Sequence, residues 1–176
     1  MLINLQPVLK SALLELRPLR PEDFQDLYDV ARDPLIWEQH PMKERYQQEV
    51  FKEFFREALE SGGALLVMDS KDGSVIGSSR YHGYSEGKSE IEIGWTFLAR
   101  SYWGGVHNQD MKQLMLRHIF QFVNTVNFLV GPLNFRSQRA MEKIGGVRAG
   151  SRHDASGRES FVYQITASAY RARFGE

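Results

Sequence analysis

The stretch GWTFLARSYWGGVHNQDMKQLMLRHIFQFVNTVNFLVGPLNFRSQRAMEKIG, residues 94–145, holds the order of elements that decides the fold. It runs from an apolar strand through a Gly-Gly turn into an amphipathic helix, then a short strand and a second helix. Met111, Leu114, Met115, Ile119, Phe122 and Val126 recur at steps of three and four and predict one buried helical stripe. Leu116, Phe120 and Val123 add a second stripe, so burial is expected over much of the helix circumference. Asn108 stands where an N-cap is favourable, and Gly104 and Gly105 ahead of it permit a tight turn with outward amides. Such amides lack intrahelical partners and sit at the positive end of the helix macrodipole, which makes this turn a ready site for a phosphorylated ligand. Phe128, Leu129 and Val130 form the short strand, and Gly131-Pro132 breaks it. Asn134 is expected to cap the second helix, with Leu133, Ser137, Ala140, Met141 and Ile144 on one face and Gly145 at C′.

Working outward, residues 13–19 read as a first strand, and Pro21, Glu22 and Asp23 open a short helix with Phe24, Leu27, Tyr28 and Ala31 on its apolar face. Asp33-Pro34 stops it. Residues 35–41 have no period and read as a loop whose Trp37 and His40 are candidates to line an acceptor pocket. A second helix is expected over residues 44–59, ended by Ser61-Gly62-Gly63. Residues 64–68 and 75–81 flank a turn-rich connection and predict a hairpin, and residues 90–98 form the next strand, where Glu90 and Glu92 alternate with Ile91 and Ile93. Residues 147–152 and 159–165 are two last strands, followed by a short helix over 166–174. The sum is an α/β (α+β) chain: a mixed, mainly antiparallel sheet of six to seven strands, helices on both faces, and one parallel crossover through the central helix.

At 176 residues the chain has the size of a single domain, 1–176, with no internal repeat, low-complexity tract or linker. Lys+Arg and Asp+Glu balance at 22 each, so no global field favours nucleic acid or a membrane surface. The absence of cysteine excludes disulfides, a Cys-ligated zinc and an acyl-cysteine route, which leaves direct attack by an acceptor as the simpler form of any acyl transfer. The first residues lack the basic start and long apolar run of a signal or membrane span, which points to the cytoplasm. The five histidines show no metal-site spacing, so no metal is expected.

The pattern Glu92-Ile93-Gly94-Trp95, then Tyr102-Trp103-Gly104-Gly105, then Asn134, Ser137 and Ala140 followed by Lys143-Ile144-Gly145 resembles the GCN5-related N-acetyltransferase (GNAT) superfamily. The likeness is to the branch that includes the ribosomal-protein N-terminal-alanine acetyltransferases, and it runs from about residue 14 to residue 163. It implies acetyl-coenzyme A as co-substrate and a splayed central strand pair. In such proteins the pyrophosphate lies on the turn and helix start, here Gly104, Gly105, Val106, His107 and Asn108. The pantetheine arm pairs with the preceding strand, here Trp95, Thr96, Phe97 and Leu98. One departure is plain. The usual loop glycines fall on Val106 and Asn108, so the loop is a variant in which Asn108 itself faces phosphate.

Transfer of an acetyl group to an amine needs a base, an oxyanion donor and a proton for the departing thiolate. The resemblance makes Glu92 the base, with Glu90 as fallback; a strand carboxylate paired on a solvated face is the plain alternative. A backbone N–H near Trp95 or Thr96 is implied as the oxyanion donor. Where many relatives carry a proton-donating Tyr this chain has Met141, and the resemblance transfers the role to Ser137 one turn earlier; a Ser bonding back to its own turn is the alternative. Asn134 is similar to the Asn that meets pantetheine, although an N-cap explains it equally. Arg136, Arg139 and Lys143 are spaced along one side of their helix to meet the ribose 3′-phosphate or adenine, or else water. Asp110 would repel phosphate and is expected to point away. The reading is an N-acetyltransferase acting on an amine-bearing small molecule or a protein N-terminus, as a monomer or homodimer without nucleic acid or membrane. A catalytically silent acyl-coenzyme A sensor or scaffold of the same fold is the alternative.

Overall fold

The computed structural model describes residues 2–175. Its strands are β1 (Leu9–Lys10), β2 (Leu14–Pro18), β3 (Ala64–Asp69), β4 (Val75–Ser85), β5 (Glu90–Leu98), β6 (Thr125–Val130), β7 (Val147–His153) and β8 (Glu159–Thr166). Its helices are α1 (Phe24–Ala31), α2 (Gln48–Ser61), α3 (His107–Ile119), α4 (Phe135–Lys143) and α5 (Ala167–Phe174). The strands form one sheet of eight in the order β1-β2-β3-β4-β5-β6-β8-β7. The expected six to seven strands are thus exceeded, partly because the two-residue β1 offers no alternation to read. Only β5 and β6 run parallel, joined by α3, as the crossover predicts.

Strand alternation divides the core in two. Leu65 and Val67 of β3 turn to the layer built on Met111, Leu114, Met115 and Ile119 of α3 and Tyr170 of α5. Ala64 and Leu66 turn the other way, to Leu27 of α1 and Phe51, Phe54 and Phe55 of α2. Each of those buried rings contributes roughly 1.5–3 kcal/mol of transfer free energy. Tyr81 of β4 fixes α3 to the sheet through its hydroxyl, which donates to the Met115 carbonyl at 2.7 Å.

Two helix boundaries differ from the sequence reading. α3 starts one residue before Asn108, with Val106 at the cap position, so Asn108 lies in the first turn and is no cap. It ends at Ile119, and Val126 belongs to β6 rather than to the helical stripe. The cause is tertiary: the Asn124 amide donates to Ser89 O at 2.8 Å, which draws the chain into the β5–β6 pair before another turn can form. α2 starts at Gln48, after a 3-10 turn over Lys43–Tyr46, rather than at residue 44. α4 follows expectation. Asn134 Oδ1 accepts from Ser137 N at 3.3 Å, and Gly146 N to Met141 O (2.8 Å) with Gly145 N to Glu142 O (3.1 Å) close a Schellman ending at Gly145, φ 89°. Leu133, placed on its apolar face by spacing, is instead exposed because it precedes the helix.

β4 and β5 are held close at Gly77, where an added methyl group would meet the Phe97 carbonyl oxygen and the Leu98 side chain. Gly77→Ala is expected to lower stability by about 1–3 kcal/mol in urea unfolding, because a backbone oxygen cannot swing aside. A midpoint unchanged from wild type would contradict this packing.

Candidate active site

The site begins where β5 leaves β6. The two strands pair only over Glu90↔Thr125, Ile91↔Val126 and Glu92↔Asn127, so the β5 backbone groups that face β6 beyond Glu92 have no strand partner. The divergence coincides with a bulge. Pairing with β4 jumps from Arg80↔Gly94 to Ser78↔Phe97, which sets Trp95 and Thr96 against the single residue Ser79. Trp95 has φ 51°, a left-handed conformation that costs an L residue about 1–2 kcal/mol.

Side chains hold that conformation in place. Thr96 Oγ1 lies 2.8 Å from Ser79 Oγ and accepts from Lys112 Nζ at 2.7 Å. The indole of Trp95 is covered by the Arg80 guanidinium at 4.4 Å and met edge-on by His82 at 5.0 Å. Lys112 comes from the buried side of α3 and also stands 5.4 Å from the Phe128 ring of β6, so it spans the inner end of the fork. It is 2% exposed, and burial lowers its ammonium pKa to about 7. Sequence spacing did not single it out, because a lysine in a helical polar position reads as solvent-facing.

Past the fork, the amides of residues 104–109 make no hydrogen bond among the described residues, and the first bond of α3 is Asp110 N to Val106 O at 2.9 Å. Gly104 has φ 71°, and Gly104, Gly105 and Val106 are exposed. The variant loop therefore presents consecutive free donors at the start of a 13-residue helix. Asp110 does turn away: its Oδ2 accepts from Ser11 Oγ at 2.5 Å. His107 packs edge-on against Tyr102 at 4.8 Å. Together, free amides and an unpaired strand edge fit the diphosphate and the amide-bearing arm of coenzyme A.

Glu92 lies on the α1–α2 side of β5, half-buried, its carboxylate over Gly94. A Cβ at Gly94 would sit 3.1 Å from Glu92 Oε1, so the absence of a side chain there leaves the carboxylate its space. Among the described residues no cation pairs with it. Burial pushes its pKa up, against the pull of Arg152 and Arg80. Glu90 differs: its Oε2 accepts from Asn127 Nδ2 at 3.4 Å and its Oε1 lies 3.8 Å from Lys88 Nζ, which ties it into the closed part of the strand pair. The Ser137 hydroxyl makes no bond back to its turn, and Met141 beside it is buried in the α3 layer.

Other expected residues fall differently. Phe97 and Leu98 are buried in opposite core layers and offer the fork only backbone. Arg136 is folded back from the exposed side of α4. Its Nη2 donates to Ile36 O at 2.9 Å and its guanidinium stacks 3.7 Å from the Trp103 ring. Arg139 and Lys143 remain exposed. Trp37 is core, its Nε1 donating to Ala31 O at 2.8 Å, while His40 stays at the pocket edge.

A parallel pair forked at a bulge, with free amides on the following helix and a lone carboxylate at the fork, defines the class of acyl-coenzyme A transferases built on a splayed sheet. The acetyltransferase (GNAT) domain family matches residues 14–147, and the chain belongs to that family. By that membership it is an acyltransferase that uses acetyl-coenzyme A. Among solved structures it is similar to a GCN5-related N-acetyltransferase from Brucella melitensis, with a TM-score of 0.84 at 16% identity over 95% of this chain and 81% of that one. It is also similar to spermidine N-acetyltransferase from Vibrio cholerae in complex with CoA and spermine (TM-score 0.70, 16% identity, 91% and 99% covered). A third is Mycobacterium smegmatis RimJ in complex with CoA-disulfide (TM-score 0.67, 20% identity, 93% and 87% covered). Among curated proteins none matches the chain.

Lys112 gives a pH test of the fork. Its folded pKa of about 7 lies below the ordinary 10.5, so between these values the unfolded chain holds a proton that the folded chain lacks, and stability rises with pH. Lys112→Met is expected to flatten the rise between pH 7 and about 9 and to stabilise the protein at pH 7, as read from urea midpoints. An unchanged slope in the variant would mean that this ammonium is not desolvated.

Proposed function

We propose that this acetyltransferase moves the acetyl group directly to a primary amine of a small molecule or a protein N-terminus, with residues 1–176 acting as one domain. The observation that carries the reading is the lone Glu92 carboxylate at the point where β5 and β6 part. Acetyl-coenzyme A, when bound, supplies the thioester carbonyl that an amine attacks and the thiolate that departs. The amides of residues 104–109 hold its diphosphate, and the β5 edge from Trp95 to Leu98, unpaired with β6 and with its Leu98 carbonyl taken by Trp103 Nε1 at 2.9 Å, orients its arm. The two similar proteins named above are in complex with CoA and with CoA-disulfide, which supports a coenzyme site in this chain.

Glu92 takes the proton from the amine, directly or through one water. A raised pKa, caused by burial, makes it a stronger base than an ordinary carboxylate. Ser137 Oγ, free of local bonds, returns a proton to the departing sulfur. Asn134 Oδ1 is occupied by its cap, which leaves its side-chain NH2 for the coenzyme. A chain without cysteine forms no acyl-cysteine, which supports a single transfer step. Arg136, released from Trp103, joins Arg139 and Lys143 as a candidate phosphate partner on α4.

Thiol release on a panel of amines tests the roles. Glu92→Gln is expected to lower kcat about 10²- to 10⁴-fold with little change in KM for acetyl-coenzyme A. In wild type, kcat/KM falls at acid pH through a pKa above the ordinary 4.5, because the base must be deprotonated, and that limb disappears in the variant. A variant that keeps full kcat and the acid limb removes Glu92 from the base role. Acetyl-coenzyme A at a hundredfold over its dissociation constant is expected to stabilise wild type by about 2.7 kcal/mol, with ATP giving less; an equal effect of ATP would reduce the site to a generic phosphate cradle.

A further inference from the structure

Arg80 lies on β4 opposite Gly94, so its side chain shares the face of the sheet that carries Glu92. It is 4% exposed, and its Nε and Nη2 are sealed from water with no acceptor among the described residues. Those two nitrogens form one edge of the guanidinium, where two N–H vectors run parallel and match the two oxygens of one carboxylate. Trp95 at 4.4 Å and Phe54 at 5.6 Å contact the group as aromatic rings, which explains how it packs but offers it no acceptor. A buried cation in this condition is half of an interaction.

Its neighbours have the same bias. The Arg45 guanidinium lies 4.8 Å from the same Phe54 ring, and Arg45 Nη1 stands 3.4 Å from His40 Nε2. The Met42 amide donates to His40 Nδ1 at 2.9 Å, which places the neutral ring's proton on Nε2. The 3.4 Å approach therefore sets two donors face to face with no acceptor between them. Burial, with the cations Arg45, Arg136 and Arg158, pushes His40 down to about 3, so it stays neutral at working pH. Burial also lowers Arg45 and Arg80 to about 10, which leaves both charged at neutral pH. The acids that act on Arg80 are Glu57 and Glu92, and neither bonds to it.

We propose that the acetyl acceptor is a small amine that also carries a carboxylate, an amino acid in the broad sense, whose carboxylate takes the Nε–Nη2 edge of Arg80 while its amine faces Glu92. This rests on Glu92 receiving the amine as described above. Arg80 and Glu92 are diagonal neighbours on adjacent strands, about 7–8 Å apart at their bases, which suits an amine and a carboxylate a few bonds apart. A polyamine would add positive charge beside Arg45 and Arg80. A protein N-terminus would bring a neutral peptide carbonyl where two parallel donors call for an anion. An open cleft of about 580 Å3 is lined by Pro41, Gly131, Phe135 and Arg158 and by His40, the residue that Arg45 approaches. Entry requires the segment that carries His40 and Arg45 to move aside, since the Arg80 edge is sealed in this conformation.

The test compares matched acceptors with acetyl-coenzyme A: the common L-amino acids, β-alanine and 4-aminobutyrate against their amides, with spermidine and a neutral peptide alongside. The best acid is expected to exceed its amide tenfold or more in kcat/KM and to exceed spermidine and the peptide. Arg80→Met and Arg80→Lys are expected to bring the acid-to-amide ratio towards one, with circular dichroism checking that each is folded. An amide, spermidine or the peptide as the best acceptor overturns the proposal, as does an acid preference that survives in both folded variants. If no amine is turned over, the same acids are compared by thermal shift with coenzyme A present. Stabilisation by an acid that is lost in Arg80→Lys upholds the carboxylate site and overturns the transfer reading instead; no stabilisation by any acid overturns the carboxylate site.

Discussion

The structure depends on a strand being bent out of its ladder and kept there. β5 cannot both pair fully with β6 and admit a ligand between them, and the left-handed Trp95 is where the choice is made. A conformation that costs about 1–2 kcal/mol persists only if its surroundings over-determine it. Here Ser79 and Lys112 converge on Thr96 Oγ1 from below the bulge, while Arg80 and His82 enclose the indole from the other face. Loss of these contacts would let β5 straighten towards β6, and the free strand edge would be spent on sheet pairing.

The same contacts distribute charge. Formal charge over the chain is zero, yet the fork separates a buried amine on one face from a carboxylate and the guanidinium groups of Arg45 and Arg80 on the other. Desolvation governs each of them: it takes the proton affinity of Lys112 down to about 7 and that of Glu92 up. An ammonium that sheds its charge easily can sit under the bulge without a counterion, and a carboxylate with a raised pKa is a more effective base. The cleft therefore combines a nearly neutral floor with a polarised acceptor wall.

Much of this was legible in the sequence. Glycines at 104, 105 and 145, the cap at Asn134 and the alternation through β5 are local signals, and local geometry obeyed them. Some boundaries slipped by a few residues at the helix starts, at Asn108, Leu133 and the 3-10 turn before α2, and the larger misreadings came from distant partners. Val126 continued a helical period but was captured by a strand pair that Ser89 starts, thirty-odd residues earlier in the chain. Arg136 had the spacing of a solvent-facing cation, yet Trp103 and the Ile36 carbonyl give it a better surface. Lys112 and Arg80 were invisible for a related reason: nothing in a one-dimensional pattern says that a cation will be buried without an acid beside it. Glu92 and Ser137 were singled out through their motif context rather than through periodicity, which predicts a solvated strand carboxylate equally well.

The most direct test of the fork is amide chemical-shift mapping of the 15N-labelled protein on titration with coenzyme A. Saturable shifts concentrated in residues 93–98 and 104–109, with β1, β2 and β3 unmoved, are the predicted result. Saturation of binding with those two segments unmoved would contradict the account.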